Sequence, residues 1–543
     1  MRMRSLLPLL LAVTVVAGGA VTRDAAAQGS GKPAYGDTLI DSLLGNVSSL
    51  IPNITNDVAS HEVGNLLYSG LVTFDRDMNP VGDLAESWKF SKDCLDLTFN
   101  LRKGVKWHDG KPFSAADVVF TYEAMIDPKT PNPYRSDFDE VESVKALDPQ
   151  TIRVRYRQPY GPALRSWGTS ILPKHLLETW VQNGKIKEAP QNFDQPIGTG
   201  PYRFVEFRSG DKVVLLSNAD YFKGRPHISR VVFRVIPSQA TTFLELKAKG
   251  VDAAMLTALQ YARQTDYPAF KKDYTRYRYA GNRYTYLGFN LKDPRFSDKR
   301  VRYAFAHAID KRQIIEGVLL GLGRDATAPY KPGSWAYTDK VKSYAYDPAK
   351  ARKLLAEAGW KETNAEGILV KDGKPFAFEL VTNQGNDERR KVAEIIQASL
   401  REIGVAVEIR IIEWATLLKN HIKTRAFEAI VLGWQLGVDP DQYFIWHSSQ
   451  MGPDQLNSIQ FANAEADAQL EGGRTSCVQA DRVKHYHRLQ QVLAEEQPVV
   501  FLYFGDQLPA VSARVHGIDP GPNGIRYNFP DWYVPKGQQR YTP

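Results

Sequence analysis

AESWKFSKDCLDLTFNLRKGVKWHDGKPFSAADVVFTYEAM, residues 85–125, is the stretch from which the rest of the chain is read. Trp88 and Phe90 alternate with polar residues and run into a polar turn at Ser91, Lys92 and Asp93. A second strand follows, with Leu95, Leu97, Phe99 and Leu101 on one side and Asp96, Thr98, Asn100 and Arg102 on the other. Strict period two is what a sheet with one face on a core and one face in water requires. His108-Asp109-Gly110 supplies a tight turn, with the glycine free to take positive φ. Ser114 is placed to cap a helix, and Asp117 stands where the acidic partner of a capping box belongs. Val118, Val119, Tyr122, Met125 and Ile126 then make a helical apolar stripe. The stretch predicts a sheet edge handing over to a surface helix. It holds no nucleophile beside a base and no metal-ligand spacing, so its role is structural.

The 543 residues are too many for one growing core and predict two or three domains. With 43% hydrophobic and 24% charged residues the composition is that of a globular protein. Residues 1–27 read differently. Arg2 and Arg4 precede an apolar run over 6–21, and Ala25-Ala26-Ala27 offers a cleavage site before Gln28. This is the pattern of a cleavable secretory signal peptide. The run is broken by Pro8, and no other span reaches membrane length. No Cys follows the run closely, which predicts a mature protein without a lipid anchor. Cys94 and Cys477 are compatible with one disulfide in an oxidising compartment, but nothing in the sequence brings them together. The formal charge is +8, and loss of Arg2, Arg4, Arg23 and Asp24 with the leader leaves a small excess. Lys and Arg are not gathered into an arm or stripe, which argues against nucleic acid as a partner.

Along the rest of the chain, residues 36–40 read as a strand and 61–71 as a helix stopped by Gly70. Residues 141–148 and 151–156 make a hairpin. Residues 183–196 lack periodicity and mark a boundary. The glycine-rich GTGPY at 198–202 precedes a strand and lacks a following Lys-Ser or Lys-Thr, so it reads as a turn rather than a phosphate cradle. Residues 231–236 form a central strand, Ser238 caps a helix ending at Gly250, and 251–255 resume as strand. Residues 274–290 are extended and rich in tyrosine, and Asp298 caps the next helix. Strands at 376–382, 405–412, 429–433 and 499–504 alternate with helices at 388–401, 416–424 and 480–495. This cadence is α/β.

Six segments together resemble a known family: residues 86–123 and 197–202 (IGTGPY), with 296–314 (FSDKRVRYAFAHAIDKRQI), 383–409, 432–450 (LGWQLGVDPDQYFIWHSSQ) and 498–518. They are similar, in order and over the whole mature chain, to the extracellular solute-binding proteins, family 5, of peptide-type ABC importers. The resemblance implies a two-lobed periplasmic-binding-protein fold, type II, in its large three-domain form with a discontinuous first domain. Lobe 1 would comprise residues 28–74, 190–278 and 499–543. An accessory domain, 75–189, would pack on lobe 1, and lobe 2 would be 279–498. The implied function is a monomeric periplasmic receptor, without cofactor or chemistry. It would close over an oligopeptide and deliver it to the ABC permease subunits of an inner membrane. In the dipeptide-binding relatives an Asp after this Gly-Trp holds the peptide amine and an Arg after an earlier strand holds its carboxylate. Gly437 and Asn383 stand nearest those positions here, which points to a longer peptide or to a non-peptide cargo such as a glycoside, an opine-like compound or a metal chelate.

The candidate ligand residues follow strands at the point where α/β sheets place ligands. They are Trp434, Gln435, Asp439, Trp446 and His447 after one strand, and Asn383 and Gln384 after another. Tyr284 and Tyr286 share a face of the extended stretch, and each is as well suited to core packing as to a ligand. Asp439 is equally placed to cap the next short helix. A secreted hydrolase is the remote alternative. His485 and His487 lie two apart on a helix and face apart, no Gly-x-Ser-x-Gly elbow occurs, and no metal-ligand set or catalytic residue emerges.

Overall fold

The structure, a computed structural model, describes residues 32–541 and the backbone of Thr22–Arg23. The predicted leader, 1–27, lies outside the described residues except for Thr22–Arg23, which pairs antiparallel with Tyr277 and Arg278.

Residues 85–125 fold as their pattern demands. Strands Ala85–Phe90 and Asp96–Leu101 form a hairpin in a four-stranded sheet completed by Thr151–Tyr156 and Val141–Asp148. Leu97, Phe99 and Leu101 are buried against Ile152 and Val154. Of the two hairpin strands Ala85–Phe90 is at an edge of the sheet and Asp96–Leu101 is interior, because Thr151–Tyr156 covers its second side; Val141–Asp148 is the opposite edge. Helix Ala115–Ile126 starts with the full capping box: Ala116 N–H donates to Ser114 Oγ and Ser114 N–H to the Asp117 carboxylate. Gly110 takes φ +88° in the preceding turn.

One strand joins two halves of the main, thirteen-stranded sheet. Tyr274–Phe289 runs for 16 residues, about 50 Å at strand rise. Its first residues pair with Pro509–Ser512, and its later ones with Ala429–Gln435 and Val499–Gln507. In one half, called lobe 1 below, Gly36–Leu43 lies parallel to Ile228–Val235 and Ala253–Met255, with Lys212–Ser217 and Tyr202–Arg208 added antiparallel. In the other half, lobe 2, Ala377–Asn383 lies parallel to Ala406–Ile412 and Ala429–Gln435. Helices such as Asp387–Glu402 cover the faces, so central strands are apolar on both sides.

The GTGPY turn fixes how lobe 1 meets the four-stranded unit. A Cβ on Gly198 would lie 1.8 Å from Leu67 O, at the end of helix Val58–Leu67, so only glycine fits. His108 of the accessory unit clamps the same turn. It accepts from Gly198 N–H at Nδ1 and donates from Nε2 to Gly200 O. Burial pushes its pKa down to about 4, which keeps the ring neutral.

Candidate functional site

The parallel strands of both lobes point their carboxyl ends at one seam. In lobe 1 those ends are Leu43, Val235 and Met255; in lobe 2 they are Asn383, Ile412 and Gln435. The loops beyond them touch across the seam. A Cβ on Gly45 would sit 3.2 Å from the Trp414 ring. Gly385, at φ +79°, approaches Pro237 O so closely that a Cβ would lie 1.8 Å away. Gln239 N–H donates to Gly385 O at 3.0 Å, and Asp387 N–H donates back to Gln239 Oε1 at 2.8 Å. Ala258 N–H donates to Glu388 Oε1 at 2.8 Å. Strand carboxyl ends are where open α/β sheets bind ligands, because loops diverge there and leave backbone groups unpaired. Here two such edges face each other.

Asn383, Gln384 and Gln435 lie at this edge, and Trp434, beside Gln435, turns its side chain to the face packed against the apolar core of lobe 2. Asn383 Oδ1 accepts from Arg389, Gln384 N–H pairs with Ile412 O, Trp434 is half-buried and Gln435 is exposed. The other candidates sit elsewhere. Register pairs Tyr284 with Trp434 and Tyr286 with Leu432 on one face of the sheet, while Arg283 faces Gln435 and Thr285 faces Gly433 on the other. The tyrosine face belongs to the apolar interior of lobe 2, where Tyr284 and Trp446 pack around Phe501. The gap between Tyr286, Trp434, Ile445 and Trp446 measures about 10 Å³, the size of a water site. His447 is buried, with Nδ1 on Ser449 Oγ and Nε2 3.3 Å from Glu471. Asp439 is held by both Arg482 nitrogens at 2.7 and 2.8 Å rather than lying open to the seam.

Reading the sequence missed Arg283 and Arg389. Arg389, in the first turn of helix Asp387–Glu402, folds back over Gly433, whose missing side chain gives the guanidinium its room: a Cβ there would meet Arg389 Nη2 at 3.3 Å. Its Nη1 donates to Asn383 Oδ1 at 2.7 Å. Arg283, two residues before Thr285, projects from the same face, and its Nε is enclosed without a hydrogen-bond partner. Burial lowers the pKa of Arg283. Burial, and then the like charge of Arg283, push Arg389 down to about 10. Glu388 and Glu62 are the nearby carboxyls that oppose this, and burial pushes both of their pKa values up. The strand Tyr274–Phe289 carries three arginines, Arg276, Arg278 and Arg283, and its sequence does not set Arg283 apart from the other two.

A second arginine cluster lies where the four-stranded unit meets lobe 2. Arg165 contacts Asp137 at 2.6 Å and Asp441 at 3.4 Å. Arg474 contacts Asp441 at 3.1 Å and donates to Ser136 O and to the Tyr160 hydroxyl. Nearby, Cys94 of the first hairpin and Cys477 of lobe 2 are joined by a disulfide across 383 residues of chain. The accessory unit is therefore fastened to both lobes, through His108 to one and through this bridge to the other.

Comparison with known proteins agrees with this layout. The profile of bacterial extracellular solute-binding proteins, family 5 Middle, matches residues 79–455. The oligopeptide-binding protein AppA of Bacillus subtilis (strain 168) is 35% identical over 99% of this chain and 98% of its own length. The structure of that AppA in complex with a nonapeptide superposes with a TM-score of 0.88 at 34% identity, covering 93% of this chain and 100% of that one. NikZ from Campylobacter jejuni in complex with Ni(L-His) gives a TM-score of 0.83 at 30% identity over 92% of this chain and 99% of its own. With two half-sheets meeting at their carboxyl ends, an accessory unit at their side and a match running nearly end to end, this chain belongs to the bacterial extracellular solute-binding proteins, family 5.

Proposed function

We propose that the protein is a periplasmic receptor that captures an oligopeptide between its two lobes and hands it, unaltered, to the permease of an ABC importer. The observation that carries this reading is the seam itself, with strand ends of both lobes opposed and polar side chains Asn383, Gln384 and Gln435 along it. An extended peptide placed there gains main-chain hydrogen bonds that do not depend on its sequence. Closure excludes water and strengthens each of those bonds. It also gives the permease one shape to recognise. Residues 28–74, 190–278 and 499–543 act as one lobe, 279–498 as the other, and 75–189 as the accessory domain. The leader sends the chain across a membrane, after which it works as a monomer without cofactor or lipid anchor.

The test is thermal unfolding of the mature protein against alanine peptides of two to nine residues, followed by calorimetry. A ligand at 100 times its Kd stabilises the folded state by about 2.7 kcal/mol, so longer peptides should raise the melting temperature. No shift with any peptide sinks the reading. A second reading keeps the fold and changes the cargo to a small non-peptide. Gly437 favours it, since no carboxylate stands there for a peptide amine and its carbonyl is occupied by Asn282 Nδ2 at 2.7 Å. A shift with a nickel–histidine chelate and none with peptides would select it.

A further inference from the structure

We propose that the junction of the accessory unit with lobe 2, pinned by Cys94–Cys477, is a second pivot of the molecule. The lobes then part only by rotation about a line through the joining strands and this junction. The inference goes beyond the receptor reading and holds for any cargo. Which bodies move follows from how each contact is made. The accessory unit is joined to lobe 1 through main chain: Leu71 N–H donates to Trp167 O and Ile171 N–H to Ser69 O, both at 2.9 Å. A Cβ on Gly70 would lie 2.6 Å from Gly168 O, so the two backbones touch. Trp167 stands in the core of the four-stranded unit, edge-on to Phe99. With His108 clamping the GTGPY turn, accessory unit and lobe 1 move as one body. Lobe 2 is the other body. The chain crosses between them in Tyr274–Phe289 and again between Val499–Gln507 and Pro509–Ser512.

Cys94 lies in the turn between Ala85–Phe90 and Asp96–Leu101, in the first body; Cys477 lies between helices Ala464–Arg474 and Gln479–Glu496, in the second. Two bodies bonded at two separate places keep only the rotation about the line joining those places, and hinge closure is such a rotation. The bridge is reinforced by its surroundings. Gly161 N–H donates to Arg474 O at 2.8 Å, and a Cβ on Gly161 would lie 2.4 Å from Ser476 O. Phe444 of lobe 2 stands edge-on to Tyr134 and under the Arg165 guanidinium. Prying this junction open would strand the buried Asp137 and Asp441 carboxylates from arginines of the opposite body, which is costly. The seam is held by less: the N–H groups of Gln239, Asp387 and Ala258, and the contact of Gly45 with Trp414. Opening therefore parts Gln239 from Gly385 and Gly45 from Trp414, while Gly161 stays on Arg474.

Hydrogen exchange of the ligand-free mature protein tests this, because single amides report each interface. Gln239 and Asp387 are the first residues of their helices, where N–H groups have no acceptor within the helix, so their protection comes from across the seam. Gly161 reports the junction. Val231 and Val431, buried in central strands of the two lobes, report global unfolding. In the disulfide-bonded wild type, Gln239 and Asp387 are expected to exchange about 10-fold or more faster than Gly161, which exchanges with the two core amides. Equal rates for Gln239 and Gly161, fast or slow, overturn the pivot. Cys94→Ser combined with Cys477→Ser should raise the Gly161 rate about 10-fold relative to Val231 in the same sample; the ratio removes the general loss of stability that follows a lost disulfide. An unchanged ratio overturns the part assigned to the bridge. Where the double variant does not fold, the wild-type comparison of Gln239 with Gly161 decides.

Discussion

Two groups of buried arginines in this protein meet opposite electrostatic fates. At the junction of the accessory unit with lobe 2, burial alone would lower Arg474 and Arg482, yet Asp441 and Asp439 outweigh it and hold both well above the ordinary arginine value. At the seam between the lobes, burial dominates and Arg283 and Arg389 are lowered. Residue type is alike, and Arg389 is as buried as Arg474 and Arg482, with Arg283 half-buried; what differs is the supply of carboxylates inside hydrogen-bond reach. The first group is electrically complete and serves as a fastening. The second is short of an anion. His108 shows a third solution, one closed to guanidinium: it gives up its proton and stays buried as a neutral ring.

The largest effect expected from breaking this contrast is at the fastening. Arg474→Met leaves Asp441 with Arg165 alone, at 3.4 Å, and should cost about 3–5 kcal/mol of unfolding free energy, read from urea titration. A loss below about 1 kcal/mol would mean that the cluster is solvated and not a buried pair. His108 should give a pH signature of about 3 kcal/mol. Its folded pKa lies below its unfolded one, so its stabilisation is complete above pH 6.5 and is lost as pH falls from 6.5 towards about 4. His108→Gln should flatten that part of the stability–pH curve, and an unchanged slope would count against a neutral buried ring. Removing the bridge with Cys94→Ser and Cys477→Ser should cost about 2–4 kcal/mol. It should also widen the particle seen by small-angle scattering if the bridge restrains the lobes. The smallest effect is expected at the seam. Arg389→Gln in ligand-free protein relieves like-charge repulsion and should change stability by less than about 1 kcal/mol, with an increase favoured. A loss as large as that of Arg474→Met would erase the distinction between the two groups.

Much of the fold was legible because its signals are local. Alternation in residues 85–101 gave the hairpin, and Ser114 with Asp117 gave the helix start. Ser238 and Asp298 bounded their helices in the same way, while the helix expected to end at Gly250 stops at Lys247, with Lys249 rather than a glycine in the left-handed region. The candidate site was legible in part. Asn383, Gln384 and Gln435 could be placed at strand ends because a strand's carboxyl end can be located from its apolar run, whereas the side-chain direction of Trp434 depends on register. Tyr284, Tyr286 and Trp446 were ambiguous because an aromatic ring has the same pattern in a core as in a cleft, and only strand register tells the two faces apart. Arg389 was hidden because, in sequence, it looks like any polar residue in the first turn of an amphipathic helix.

The sequence by itself determined the secretory-type leader pattern, the α/β succession, the caps and turns, and the family, since each depends on neighbours within a few residues or on motifs in fixed order. Only the tertiary structure decided that Cys94 meets Cys477, that Asp439 faces Arg482 rather than the seam, and that Arg283 and Arg389 share a wall without a carboxylate. Those pairings join positions far apart in the chain. Charge complementarity between such positions is a property of distance in space, which periodicity along the sequence does not encode.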